Sequence, residues 1–235
     1  ASLVDALTDH GAEVVLLPMV AIVDPTDGGA ALAAAAARLG DYDRIVVTSP
    51  NGARRLLDIA GNLPVADWPP VAAIGPATAG PLQAAGVPVD LVPGEAVAES
   101  LLNALRDPPD DGRRLLLVRA ESAREVLPAG LVAAGWDLEV VAAYRNVEPA
   151  VEGPALAEAR TAEAVTFTAA SAVRRYHDLA GGPRPVDALC IGPVSGGLAR
   201  NLGFRVAEAS PHSVSGLVEA ACRWARSRGG FRRLS

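Results

Sequence analysis

The feature that most constrains this chain is that its second half repeats its first. The segment from Thr48 to Gly61 lies over the segment from Thr168 to Gly181 at an offset of 120, and six of those fourteen positions are identical. Ile74-Gly75-Pro76-Ala77-Thr78 lies over Ile191-Gly192-Pro193-Val194-Ser195, and Gly86-Val87-Pro88-Val89 over Gly203-Phe204-Arg205-Val206, both at offset 117. Gly11-Ala12-Glu13-Val14 lies over Gly135-Trp136-Asp137-Leu138 at offset 124, each ending a helical pattern and opening a strand. Repeated blocks in the same order mean one architecture built twice, and 235 residues are enough for two such units.

The repeated unit alternates strand and helix. Arg44-Ile45-Val46-Val47-Thr48 and Ala164-Val165-Thr166-Phe167-Thr168 are short apolar runs rich in β-branched residues, each followed by a helical pattern ending near Gly61 or Gly181. Pro70-Val71-Ala72-Ala73-Ile74 and Val186-Asp187-Ala188-Leu189-Cys190-Ile191 do the same, with Gly-Pro opening the next helix where proline is tolerated. Continuous apolar strands joined through helices predict parallel sheets covered on both faces, hence an α/β chain of two doubly wound domains related by the repeat. The match of Gly11 to Gly135 places Ala1 on Glu125, so the first repeat has no counterpart of residues 113–124 and their strand Leu115-Leu116-Leu117-Val118. The natural chain is therefore expected to continue upstream with a strand and turn.

Composition removes several chemistries. Hydrophobic residues make up 50% of the chain and aromatic ones only 4%, so the cores must be aliphatic. A net charge of −6 argues against the diffuse basic field that nucleic acid requires. All 21 basic residues are arginine, which excludes Schiff bases, pyridoxal-phosphate attachment and a P-loop lysine. Cys190 and Cys222 stand in no CxxC pattern, so neither a disulfide scaffold nor a zinc site is expected and a reducing cytoplasm fits. No apolar stretch reaches membrane-spanning length. There is no GxGxxG after a strand, no HExxH and no GxSxG, and His10, His177 and His212 have no ligand spacing.

Ligands of doubly wound folds bind beyond the carboxyl ends of the strands, where helix N-termini present free N–H groups. That rule selects four matched corners: Thr48-Ser49-Pro50-Asn51, Gly75-Pro76-Ala77-Thr78, Thr168-Ala169-Ala170-Ser171 and Gly192-Pro193-Val194-Ser195. Ser49, Thr78, Ser171 and Ser195 either cap helices or line a cleft, and their matched placement favours the cleft. Tyr144, one of three tyrosines, sits just past the apolar run Val140-Val141-Ala142-Ala143. Its phenol either exchanges a proton with a ligand or is buried against backbone. Arg119 and Arg124 are suited to hold carboxylates bidentately. The pairs Arg54-Arg55 and Arg174-Arg175 read as solvated helix faces, His177 as a helix-surface residue, and the five arginines from Arg223 to Arg233 as a basic tail or linker.

These residues resemble the uroporphyrinogen-III synthase family along nearly the whole chain. The resemblance is carried by Val46-Val47-Thr48-Ser49-Pro50-Asn51, Ile74-Gly75-Pro76-Ala77-Thr78-Ala79, Val118-Arg119 with Ala123-Arg124-Glu125-Val126-Leu127, Val141-Ala142-Ala143-Tyr144-Arg145, and Ala188-Leu189-Cys190-Ile191-Gly192-Pro193. It implies two α/β domains, one inserted in the other: one built from residues 1–17 and 149–226, one from 25–140, extended linkers at 18–24 and 141–148, and a tail at 227–235.

The implied reaction is the dehydrating cyclisation of hydroxymethylbilane, with inversion of the last ring, to uroporphyrinogen III, without metal or organic cofactor. Tyr144 matches the family's candidate proton donor. The implied binding positions are Thr48, Ser49, Gly75, Ala77, Thr78, Arg119, Thr168, Ala169, Ser171, Gly192, Val194 and Ser195, with Ser195 in place of the usual threonine. Where the family commonly has Ser-Pro, this chain has Ala169-Ala170, leaving only backbone at that corner. The substrate is a polycarboxylate, so a protein of this charge must hold it through local donors. The remaining expectations are a cytoplasmic monomer that takes its substrate from hydroxymethylbilane synthase and engages neither nucleic acid nor membrane. Two rival readings are a two-lobed racemase, for which the required pair of matched cysteines is missing, and a non-catalytic binding or regulatory domain of a fused protein.

Overall fold

The computed structural model describes residues 2–60, 63–105, 108 and 112–229. In chain order they form α1 (Leu3–Asp9), β1 (Ala21–Val23), α2 (Ala30–Ala36), β2 (Arg44–Val47), α3 (Pro50–Ala60), β3 (Val71–Ala73), α4 (Pro76–Ala84), β4 (Val89–Leu91), α5 (Ala98–Ala104) and β5 (Arg114–Ala120). There follow α6 (Val126–Ala133), β6 (Asp137–Val147), α7 (Gly153–Thr161), β7 (Val165–Phe167), α8 (Ala170–Ala180), β8 (Asp187–Cys190), α9 (Pro193–Asn201), β9 (Arg205–Glu208) and α10 (Val214–Arg226). The chain divides into one unit of Ile22–Val147 and another formed by the residues up to Ala21 with those from Glu148 onward.

The Ile22–Val147 unit is built on a sheet of order β1-β6-β5-β2-β3-β4. β2 pairs in parallel with both β3 and β5, and β5 with β6. The apolar runs are continuous because each face is covered by helices. Ile45, Val47, Leu116 and Val118 pack with α2, α3 and Leu82 of α4 on one side, while Val46, Ala72, Leu115 and Leu117 pack with α5 and α6 on the other. Side chains alternate across a strand, and sealing a Leu or Val from water stabilises by roughly 1.5–3 kcal/mol. From β2 the chain steps outward to β3 and β4, then returns to the other side of β2 for β5 and β6. That reversal puts a crevice at the carboxyl ends of β2 and β5.

The second unit repeats the layering on the parallel order β7-β8-β9. Phe167, Ala188 and Cys190 face α7, α8 and α9, and Leu189 faces α1 and α10. The repeat extends to backbone detail: Gly86 and Gly203 follow α4 and α9 with φ of 81° and 88°, the left-handed conformation that glycine adopts at no steric cost.

The structure departs from the sequence reading in five places. Residues 12–18 form no strand, because they have no neighbouring ladder among the described residues and a strand exists only through its pairing. The two units are unequal, with six strands in one sheet and three in the other. Of residues 141–148, expected as linker, 141–147 are the second half of β6, whose ladder with β5 runs as far as Tyr144.

In each arginine pair one side chain is exposed and the other engaged, since consecutive helical residues point about 100° apart. Arg55 reaches Asp24 at 2.6 Å, and Arg175 donates to the carbonyls of Met19 and Pro149. Arg228, assigned to the tail, pairs with Asp187 at 2.6 Å and lies over the Trp224 ring. Gly61 and residues 230–235 lie outside the described residues.

Asp187 is buried at the start of β8 and accepts from Arg205, Arg228 and the Trp224 indole. The Arg205 hydrogen bond is the main cause that lowers its pKa. A carboxylate with a depressed folded-state pKa contributes stability above its unfolded value, lost as pH falls through the folded one. Asp187→Asn is expected to lower unfolding free energy by about 2 kcal/mol at neutral pH, with the gap from wild type closing below about pH 4 in urea titrations.

Candidate active site

At the carboxyl ends of β2, β3, β5 and β6 lies a cavity of about 280 Å³ lined by Thr48, Ser49, Ile74, Arg119, Arg124 and Tyr144, with an apolar wall from the start of α5 and from α6. Thr48 is locked by its neighbours, since its N–H and its Oγ1 both donate to the Val118 carbonyl, at 3.1 and 3.3 Å. Ser49 caps α3, accepting from the Gly52 N–H at 3.0 Å.

Tyr144 reaches the cavity through an irregularity in β6. The ladder runs Val118↔Val141 and Arg119↔Ala142, then slips so that Ala120 opposes Tyr144. Ala143 is the extra residue of a bulge, the device that re-aims a side chain at a strand end, and Ala143 and Tyr144 are consecutively buried. The Tyr144 carbonyl is held by the Glu121 N–H at 2.8 Å, and Glu121 in turn accepts from the N–H and hydroxyl of Thr26.

The three tyrosines are not equivalent. Tyr42 donates to Glu139 at 2.8 Å, and burial, with that carboxylate beside it, pushes its phenol up to about 12. Tyr176 donates to the Ala159 and Arg184 carbonyls, with burial raising its pKa. The Tyr144 hydroxyl makes no hydrogen bond among the described residues and is not sealed from solvent, although the residue is only 7% exposed. A buried tyrosine ordinarily satisfies its hydroxyl. Tyr144 instead leaves its own without a partner among the described residues, and the residue lines the cavity.

Of the positions expected from the sequence, the cavity gathers Thr48, Ser49, Arg119 and Tyr144. Gly75 lies behind its wall: a Cβ there would stand 2.6 Å from that of Ala96. Ala77 is exposed on the first turn of α4, and Thr78 is buried there. In the other unit Thr168, Ala169, Ser171 and Val194 are exposed at the starts of α8 and α9, and Gly192 lies under the His212 ring. Ser195 is buried and donates to the Gly192 carbonyl at 3.0 Å. Burial pushes the nearby Cys190 thiol up to about 11, so it stays protonated and unreactive. His177 lies half-buried beside Phe204. The apolar wall of Ile74, Ala96, Val97, Leu127 and Pro128 was not read from sequence, because nothing local distinguishes those residues from core.

Among the described residues no three potential ligands cluster around a metal position, and no helix is long and apolar enough to cross a membrane.

Comparison with known proteins bears on this geometry. Residues 1–219 match the family model described as uroporphyrinogen-III synthase HemD. A uroporphyrinogen-III synthase of Synechococcus elongatus is 30% identical over 92% of this chain and 88% of its own length. A candidate uroporphyrinogen-III synthase of Methanothermobacter thermautotrophicus is 34% identical over 64% of this chain and 64% of its own. Among solved structures, a mutant Thermus thermophilus uroporphyrinogen III synthase superposes with a TM-score of 0.58 at 21% identity, covering 96% of this chain and 94% of that one. The Helicobacter pylori uroporphyrinogen-III synthetase gives 0.57 at 19% identity over 78% and 84%. At those identities the structures speak for the two-domain α/β fold.

The contact of Gly75 with Ala96 is generated by space alone, since the Gly75 backbone is extended. Gly75→Ala is expected to destabilise the fold by about 1–3 kcal/mol as Ala96 is displaced, read as a lowered midpoint in chemical denaturation.

Proposed function

Because the chain belongs to the uroporphyrinogen-III synthase family, the cyclising lyases of tetrapyrrole biosynthesis, we propose that the Tyr144 cavity is where the last ring of hydroxymethylbilane reacts. The observation that carries this reading is the unpaired hydroxyl of Tyr144, a residue lining a cavity whose charged lining is entirely arginine.

The chemistry needs little more. The electron pair of the terminal pyrrole nitrogen expels the hydroxyl from the adjoining hydroxymethyl carbon. The C–O bond breaks, and the Tyr144 phenol donates its proton so that water leaves. The resulting electrophilic carbon then forms its bond to the last ring. Closure at that ring's substituted carbon gives a spiro intermediate. The bond from that carbon to its original methylene bridge then breaks, and the methylene rejoins at the ring's free carbon with loss of the proton there, inverting the ring to isomer III. Direct closure at the free carbon gives isomer I. The proton released when the ring regains aromaticity returns to the phenolate. The decisive task of the protein is therefore positioning, which selects the carbon that closes. The Ile74, Ala96 and Leu127 wall supports one pyrrole face, and a cavity near the small end of ligand sites, roughly 300–1,000 Å³, suits one substituted ring.

In the other unit Thr168, Ala169, Ser171 and Val194 stand exposed at the starts of α8 and α9, whose first-turn backbone N–H groups suit carboxylates. Gly75, Ala77, Thr78, Gly192 and Ser195 shape the corners. The enzyme works as a cytoplasmic monomer, the compartment in keeping with two free cysteines. Direct hand-over from hydroxymethylbilane synthase fits a substrate that closes unaided to the wrong isomer.

Hydroxymethylbilane generated in situ is expected to yield isomer III when this protein is added, measured by oxidation and chromatographic separation. Isomer I alone from the folded protein would replace catalysis with a binding role. Tyr144→Phe removes no intramolecular hydrogen bond, so stability is expected to stay within about 0.5 kcal/mol. Its kcat is expected to fall about tenfold, a modest loss because the pyrrole nitrogen supplies most of the push.

A further inference from the structure

Thirteen residues line the Tyr144 cavity, and the charged ones are Arg119 and Arg124; none is acidic. The two guanidinium groups are in different states. Arg119, 12% exposed, is already committed: one nitrogen donates to the Arg124 carbonyl at 3.1 Å and another to Glu125 Oε1 at 2.6 Å. Arg124 is exposed, and its guanidinium forms no hydrogen bond or ion pair among the described residues. The local charge of the cavity is therefore positive in a protein whose formal charge is −6, and Arg124 is where that charge is uncompensated.

We propose that Arg124 binds a carboxylate side arm of the ring that reacts at Tyr144, and that Arg119 is a positioning residue which holds the Arg124 backbone in place. This deepens the synthase reading and rests on it. A planar guanidinium fork donates two parallel N–H bonds to a carboxylate, which fixes the ring in rotation as well as in position. The apolar wall then sets which face of that ring meets Tyr144. Arg119 acts through its bond to the Arg124 carbonyl, and Glu125 keeps the Arg119 charge from competing for the same side arm. The bilane carries an acidic arm on every ring, so one anchored arm discriminates between ring orientations.

The test uses the full chain and synthetic hydroxymethylbilane. Arg124→Gln is expected to raise KM about tenfold or more, with a smaller change in kcat and a shallower dependence of KM on ionic strength than wild type. Arg124→Lys keeps the charge without the fork and is expected to recover part of the KM while leaking isomer I. Arg119→Met can donate neither to the Arg124 carbonyl nor to Glu125. It is expected to raise KM severalfold in the wild-type background and to add little in the Arg124→Gln background, a non-additivity that a purely structural role would not produce. An unchanged KM and salt dependence in Arg124→Gln, with wild type making isomer III, overturns the assignment alone. A KM increase confined to Arg119 variants also overturns it, transferring the carboxylate to Arg119. Absence of isomer III from wild type overturns the synthase reading itself.

Discussion

The parallel ladder between β2 and β5 is the constraint on which the rest of the Ile22–Val147 unit depends. It joins strands whose following connections lead in opposite directions, so their carboxyl ends open instead of being bridged. It also places Thr48 against Val118, from which the Thr48 backbone and hydroxyl take their geometry. The ladder is secured by side chains entirely removed from water on both faces, Val46 and Leu117 toward one helical layer, Val47 and Leu116 toward the other. A cavity bordered by such strands is rigid where its ligand-facing groups are rooted.

The site then departs from regularity at one point. The bulge at Ala143 breaks the alternation of β6 and turns Tyr144 to a position the unbroken register would not give it. Its hydroxyl goes unpaired while those of Tyr42 and Tyr176 are satisfied. A hydroxyl with no partner in the protein and open to solvent can bond a ligand without first breaking an internal hydrogen bond. The charges follow the same division, with Arg119 satisfied by Glu125 and Arg124 left open.

The duplication that dominates the sequence is only partly kept by the structure. Both halves retain the strand–corner–helix unit, down to the left-handed glycines after α4 and α9. They differ in sheet width and in what their corners offer: a hydroxyl at Ser49 against a methyl at Ala169, and Ala96 over Gly75 against His212 over Gly192. A tyrosine and two arginines line the cavity of one half.

The sequence by itself determined the alternation of strand and helix, the parallel sheets, the duplication and the position of the corners. Each follows from local periodicity, Gly and Pro placement and a direct comparison of the halves. It also marked Thr48, Ser49, Arg119 and Tyr144, because they stand at strand ends. Tertiary structure decided what periodicity cannot encode. Partners distant in sequence made Arg175 a clamp on the Met19 and Pro149 carbonyls instead of a solvated surface residue, and made Arg228 the counter-ion of Asp187. A one-residue slip in register settled the position of Tyr144, and Glu125 pairs with Arg119 while the Arg124 guanidinium has no partner among the described residues. Hydrogen bonds and ion pairs are satisfied in three dimensions, so residues alike in sequence acquire different roles by what folding sets beside them.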